Sequence, residues 1–226
     1  MSTAVNCIQG VCVTKTMDRY SAPGTTGRVL HSATGYDLLA WLLLLGREGA
    51  FRERLVRLAR LEPAQSVLDI GCGTGTLAIA AKRRVGPRGT VEGIDASPEM
   101  IARARRKASQ AGVDVAFTNG VVEALPFADG HFDRVLSTLM LHHLPRDARH
   151  RCAREVRRVL KPGGFLLAVD FGGGAGGRRS LIEHFHRHGQ VDVHAIVELL
   201  SEAGLETVES GAVGVRDLNF VLATIR

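Results

Sequence analysis

The chain has 226 residues, with 29 Lys and Arg against 23 Asp and Glu and so a formal charge of +6. That length suits one large α/β domain, or a core with a small cap, and not two full domains; a composition of 45% hydrophobic and 23% charged residues excludes disorder. Aromatics at 5% argue against a base-stacking nucleic-acid surface, so no nucleic-acid partner is expected.

The four cysteines (Cys7, Cys12, Cys72, Cys152) form no CxxC pair and have no histidine at metal spacing. Neither a disulfide scaffold nor a metal site is expected, and a reducing cytosol fits best. The first 16 residues lack the basic start and long apolar run of a signal peptide. Residues 1–24 carry no sustained periodicity and read as a loose arm with unpaired Cys7 and Cys12. Residues 34–61 read as helical: Phe51, Leu55 and Leu58 recur at i, i+4 and i+7, arginines occupy the other faces, and Pro63 stops the helix. The most apolar run, LLAWLLLL over 38–45, is far short of the ~20 residues that span a bilayer. A cytoplasmic protein, at most peripheral to a membrane, is expected. Residues 1–61 are read as arm and helical cap, and 62–226 as the core.

From Ser66 onward short apolar strands alternate with amphipathic helices. Strands are expected at 66–70, 90–94, 114–118, 134–138 and 165–170. Helices are expected after Gly75, from Pro98 to Ala111 (Ser97 as N-cap, Gly112 beyond the end), around 146–160 and over 192–203. Two last strands, at 205–209 and 219–225, leave no room for a helix between them and should form an antiparallel hairpin. Strands separated by helices imply right-handed crossovers. The fold class is therefore a doubly wound α/β domain of seven strands, mostly parallel, with an antiparallel terminal hairpin.

In such a sheet ligands sit at the carboxyl ends of the strands. The first of these ends reads DIGCGTG, with glycines at 71, 73 and 75. A dinucleotide loop wants its third glycine one residue later. More decisive is Asp69 at the mouth of the loop, because a carboxylate repels a pyrophosphate resting on the same amides. It attracts a ligand bearing an ammonium and a sulfonium, which favours S-adenosylmethionine over NAD. Asp95 lies 20 residues past Gly75 at the end of the second strand, where an acid accepts from two vicinal ribose hydroxyls.

The segments VLDIGCGTGTLAI, GIDASPEMIARAR, EALPFADGHFDRVLSTLMLHHL and EVRRVLKPGGFLL, in this order, resemble class I S-adenosylmethionine-dependent methyltransferases over roughly residues 62–171. The stretch before them, YDLLAWLLLLGREGAFRERLVRLARL, is similar to the menaquinone/ubiquinone-biosynthesis C-methyltransferase branch and to small bacterial phospholipid N-methyltransferases. The resemblance implies a Rossmann-like methyltransferase core, S-adenosylmethionine as cofactor and S-adenosylhomocysteine as product. It places Asp69 and Gly71 at the methionine end, with Gly73, Thr74 and Gly75 letting the backbone approach. It gives Asp95 to the ribose, Ala96 and Met100 to the adenine, and Ser137 to the methionine side. Tyr36 is added from the cap. Where the family has an aspartate for the adenine amino group this chain has Val121, a departure that Asn119 or the Val122 amide would offset.

His142 and His143 follow the fourth strand, where a general base would be well placed; a local hydrogen-bonding role is the other reading. Cys72 contributes small size to the loop. GGGAGG at 172–177 reads as a lid hinge, since no Lys-Ser/Thr follows it. The cationic surplus lies on helices, as solvated faces or as attraction to an anionic membrane. The expected function is methyl transfer to a small apolar acceptor (a quinone precursor, phenol or lipid amine), in a pocket roofed by Trp41, His184 and His186. The alternatives are a non-catalytic cofactor-binding or partner-binding module and, less well matched, an NAD oxidoreductase. Homodimer formation is left open.

Overall fold

The computed structural model describes residues 6–8, 11–13, 48–172, 193–215 and 217–225. Tyr36, Trp41, His184 and His186, the apolar run 38–45 and most of the glycine stretch after Gly172 lie outside them. The arm expected to be irregular contains a small hairpin, with β1 (Asn6–Ile8) antiparallel to β2 (Val11–Val13). Each strand is only three residues, Asn6-Cys7-Ile8 and Val11-Cys12-Val13, too short for a periodicity reading.

The main sheet contains β3 (Ser66–Ile70), β4 (Thr90–Asp95), β5 (Ala116–Asn119), β6 (Phe132–Thr138), β7 (Leu160–Phe171), β8 (Glu206–Ala212) and β9 (Leu218–Thr224). Their spatial order is β5-β4-β3-β6-β7-β9-β8. The first five run parallel, and β9 is antiparallel to both β7 and β8. This is the doubly wound sheet with a terminal hairpin that the alternation of strand and helix predicts. The strand order reverses at β3, between β4 and β6, so the carboxyl ends of those strands open the crevice.

Among the described residues five helices cover the sheet: α1 (Glu48–Leu58), α2 (Thr76–Val85), α3 (Pro98–Ala111), α4 (Arg146–Val159) and α5 (Val193–Glu202). Phe51, Leu55 and Val56 of α1 share an apolar cluster with Val67 of β3, Leu77 of α2 and Ile101 of α3. On the other face Cys152 and Val156 of α4 and Ile196 and Leu200 of α5 pack with Leu68 and Val135. The ends of α3 are as read: the Ser97 hydroxyl accepts from the Met100 amide and Gly112 turns the chain at φ 63°.

α1 corrects the expected helix end. It stops at Leu58, before Pro63, because Arg60 adopts a left-handed φ of 52° and the Leu61 amide closes back on the Val56 carbonyl at 3.3 Å. Arg134, reaching out of β6, donates to the freed carbonyls of Ala59 at 3.1 Å and Arg60 at 3.3 Å. A cation is favourable at that end of a helix, and a distant strand residue supplies it here.

Candidate active site

The loop between β3 and α2 is held open by glycine at three left-handed positions, φ 64° at Gly71, 52° at Gly73 and 77° at Gly75. A Cβ on Gly75 would meet Phe117 and Ala104, and one on Gly71 would collide with Met140. The loop is thus pinned between β5, α3 and the segment after β6. Its residue Cys72 donates its amide to the Ile94 carbonyl at 3.0 Å. Burial pushes the Cys72 thiol well above its ordinary range, with the Asp69 and Asp95 charges adding to the effect, so the side chain acts through its size and not as a nucleophile.

Asp69 is 2% exposed, and its Oδ2 has no hydrogen-bond partner among the described residues. Burial pushes its pKa up to about 7; the Arg52 charge opposes the rise, the Asp95 charge adds to it, and the Ala78 amide opposes it. The hydroxyl oxygens of Ser137 and Thr138, at the end of the neighbouring β6, are also buried without a hydrogen-bond partner among the described residues, and Ser137 faces Ile70 in register. Unfilled buried acceptors are costly unless a ligand completes them. Arg52 of α1 was not singled out in the sequence, where it reads as one of a row of helical arginines. Its guanidinium acts on Asp69, keeps a 3.3 Å bond to Glu48, and lines an open groove of about 710 Å3 between α1 and α2.

Asp95 is built differently. Its Oδ2 accepts the Gly73 amide at 2.9 Å and its Oδ1 the Ser97 amide at 2.9 Å. Burial raises its pKa while those two amides lower it, with a net rise. The acid ties the end of β4 to the glycine loop and keeps further lone pairs able to accept hydrogen bonds. Asn119, beside it in register, spends its Nδ2 on the Asp95 carbonyl at 2.9 Å. Val121 and Val122 are both buried; Val122 belongs to the α4-side cluster, whereas Val121 joins neither cluster. Met100 is buried under the N-cap, and Ala96 is half-buried beside it. Thr74 is 2% exposed and accepts from Lys107 Nζ at 2.8 Å, so its hydroxyl serves α3.

On the far side of β3 the chain leaves β6 through Leu139, a non-glycine residue at φ 55° whose amide donates to Val169 of β7 at 2.8 Å. The following turn (Leu141–His143) carries His142 to the end of β7. There His142 Nδ1 lies 2.7 Å from Asp170 Oδ1, and the His142 amide donates to Oδ2 at 3.1 Å. Asp170 is 1% exposed. It was visible in the sequence only as the end of the fifth strand; no motif couples it to a histidine 28 positions earlier. The ring of His143 sits 3.9 Å from that of His142.

A cationic amino group fits against the unfilled oxygen of Asp69, a carboxylate fits Arg52, and the glycine loop admits backbone approach. The residues therefore suit S-adenosylmethionine. Comparison with known proteins agrees. The model of the family described as "Methyltransferase domain" matches residues 67–164. The demethylmenaquinone methyltransferase of Thermus thermophilus is 40% identical over 139 residues, 62% of this chain and 62% of that protein. The ubiquinone/menaquinone biosynthesis C-methyltransferase of Bordetella avium is 36% identical over 144 residues, 63% of this chain and 56% of that protein. The chain thus matches about three fifths of the length of these relatives. The crystal structure of a SAM-dependent methyltransferase from Aquifex aeolicus superposes with a TM-score of 0.70 at 22% identity, covering 87% of this chain and 100% of that one. Over residues 67–164 the chain is thus similar to the methyltransferase domain, and its fold is that of a SAM-dependent methyltransferase.

Proposed function

We propose that the protein transfers the sulfonium methyl group of S-adenosylmethionine to a small apolar acceptor, a prenylated quinol first among them. The observation that carries the cofactor reading is Asp69: a buried acid with one oxygen unfilled, beside an arginine, at the mouth of a glycine loop. Bound there, the cofactor supplies a methyl group already activated by positive sulfur. Asp69 holds the ammonium and Arg52 the carboxylate. Asp95 takes the ribose hydroxyls, and Ala96, Met100, Asn119 and Val121 flank the adenine. The work left to the chain is alignment of donor and acceptor in a closed site, which is worth many orders of magnitude in rate.

The acceptor class rests on two supports. The relatives compared above are named for quinone methylation, and the apolar run 38–45 with Trp41 is proposed as an apolar wall. His184 and His186 are proposed to complete that pocket. Calorimetry with S-adenosylhomocysteine and with NADH, followed by methyl-labelled cofactor and a panel of quinols, phenols and lipid amines, tests the reading. Binding of the thioether product and label transfer to apolar acceptors are expected. Binding of NADH alone, or label transfer to polar acceptors only and unaffected by Trp41→Ala, would sink it.

A further inference from the structure

We infer that Asp170 and His142 form a base dyad that takes the proton of a hydroxyl-bearing aromatic acceptor; this rests on the methyl-transfer reading above and deepens it. The ring of His142 is oriented twice by one buried carboxylate, through Nδ1 at 2.7 Å and through its own backbone amide at 3.1 Å. The Phe171 amide gives Asp170 a third donor at 2.8 Å. A carboxylate can only accept, so Nδ1 carries the proton and Nε2 the lone pair. That is the arrangement by which a buried acid fixes a histidine as a base and stabilises the imidazolium it becomes.

The dyad's place in the fold ties it to the cofactor loop. Met140, two residues before His142, occupies the space that a side chain on Gly71 would need, its Cβ 2.9 Å from that position. The strained Leu139 makes the crossing from β6 to β7 that brings the histidine over Asp170. Left-handed backbone in a branched aliphatic residue is costly and clusters at functional sites. Among the described residues, the His143 ring, the Phe171 ring at 5.4 Å and Arg149 face the dyad; Arg149 donates to the Leu141 carbonyl at 2.9 Å and its charge interacts with that of Asp170. None of them competes for Nδ1.

The step balances as follows. The acceptor hydroxyl proton moves to His142 Nε2. The electron-rich oxygen, or the ring carbon conjugated with it, bonds to the methyl carbon while the sulfur–methyl bond breaks and its electron pair stays on sulfur. For attack through carbon, the ring proton then passes to water as aromaticity returns, and the oxygen takes one back from water. The imidazolium passes its proton to water. An amine that is already neutral needs no such base, so the dyad selects for phenols and quinols.

The test uses the full chain, a dithionite-reduced 2-prenyl-1,4-naphthoquinol as probe, and the variants His142→Ala and Asp170→Asn. Nitrogen-15 NMR of the free protein should show the Nδ1–H tautomer at His142, and Asp170→Asn should reverse it. Both variants should lower kcat by about 10²–10⁴-fold while binding S-adenosylhomocysteine within about twofold of wild type. Activity of His142→Ala should recover steadily toward alkaline pH, where the acceptor ionises unaided, which a merely structural role does not produce. Variants that fold, bind the product and keep wild-type kcat and pH profile overturn the inference. So does an Nε2–H tautomer in the wild type, or a wild type that binds product yet methylates no hydroxyl-bearing probe. Failure of the wild type to bind S-adenosylhomocysteine instead removes the underlying methyl-transfer reading, and the two failures are told apart by calorimetry.

Discussion

Asp69 and Asp95 end neighbouring parallel strands and face the same loop, yet they are satisfied in opposite ways. Asp95 has a loop amide on each oxygen, at 2.9 Å in both cases. Asp69 is buried with an oxygen that no described residue fills. Asp170, across β6, resembles Asp95 in this respect, with backbone amides and a histidine ring on its oxygens. The difference teaches which acid waits for a ligand and which acids build the place where it waits. A carboxyl group that pays desolvation without compensation is stable only in proportion to what binds it.

Substitution separates the two roles. Asp69→Asn should weaken S-adenosylmethionine binding by about 10–150-fold, the worth of one hydrogen bond to a charged group, ~1.5–3 kcal/mol. The same change should not destabilise the free protein. With a folded pKa of about 7 against an ordinary 3.8, the wild-type acid favours folding only while protonated. That contribution is complete below the unfolded value and is lost as pH rises toward the folded one. The melting temperature of Asp69→Asn should therefore pull ahead of wild type between about pH 4 and 7 and run parallel above. Asp95→Ala should do the reverse at the fold, costing stability at every pH because the Gly73 and Ser97 amides lose their acceptor, roughly 1–3 kcal/mol, and weakening the cofactor as well. Equal thermal behaviour of the two variants would break the distinction.

A second prediction follows from the same pKa. Binding of a cation requires the ionised form of Asp69, so cofactor affinity should fall by up to about tenfold per pH unit below pH 7 and level off above it. Calorimetric titrations from pH 5.5 to 8.5 measure the slope. Asp69→Asn should flatten it, and a slope that survives the substitution would assign the proton to another group.

The alternation of strands and helices, the antiparallel end and both acids of the crevice were legible in the sequence because each is a local pattern. Period, caps and glycine spacing act over a few residues. What was not legible depends on tertiary distance. Arg52 is one arginine among several on α1 until packing on α2 brings its charge to Asp69. Asp170 is only a strand end until Leu139 turns the chain and lays His142 on it. The end of α1 was misread because Pro63 is a strong local stop signal, whereas Arg134, from β6, caps the helix one turn sooner. Thr74 lies within the glycine motif, but its hydroxyl turns to Lys107.

Arg52 gives a third and smaller effect. Its charge already opposes the rise in the Asp69 pKa, and its guanidinium is shared with Glu48. Arg52→Met keeps the packing of the stem on α1 while removing the charge. A loss of about 3–10-fold in cofactor affinity is expected, near 1 kcal/mol for a partly exposed, already paired cation. The midpoint of the pH dependence should also move upward, since the opposing charge is gone. An unchanged midpoint would place Arg52 outside the reach of Asp69 in solution.

The smallest effects are expected at the proposed adenine end, where this chain has Val121. Val121 is 6% exposed and joins neither apolar cluster. Val121→Asp sets a carboxylate where an adenine amino group can donate to it. In the free protein that acid is desolvated and should lower stability by ~1–3 kcal/mol. Added cofactor should restore it and bind equally or up to about tenfold tighter than to wild type. Asn119 bears on the same end only indirectly, since its Nδ2 is held by the Asp95 carbonyl at 2.9 Å and its side chain is exposed. Asn119→Ala removes one solvent-accessible hydrogen bond and should cost about twofold in affinity with little change in melting temperature. If Asn119→Ala proves neutral and Val121→Asp tightens nothing, adenine is held by backbone alone, with the Val122 amide as the donor to examine next.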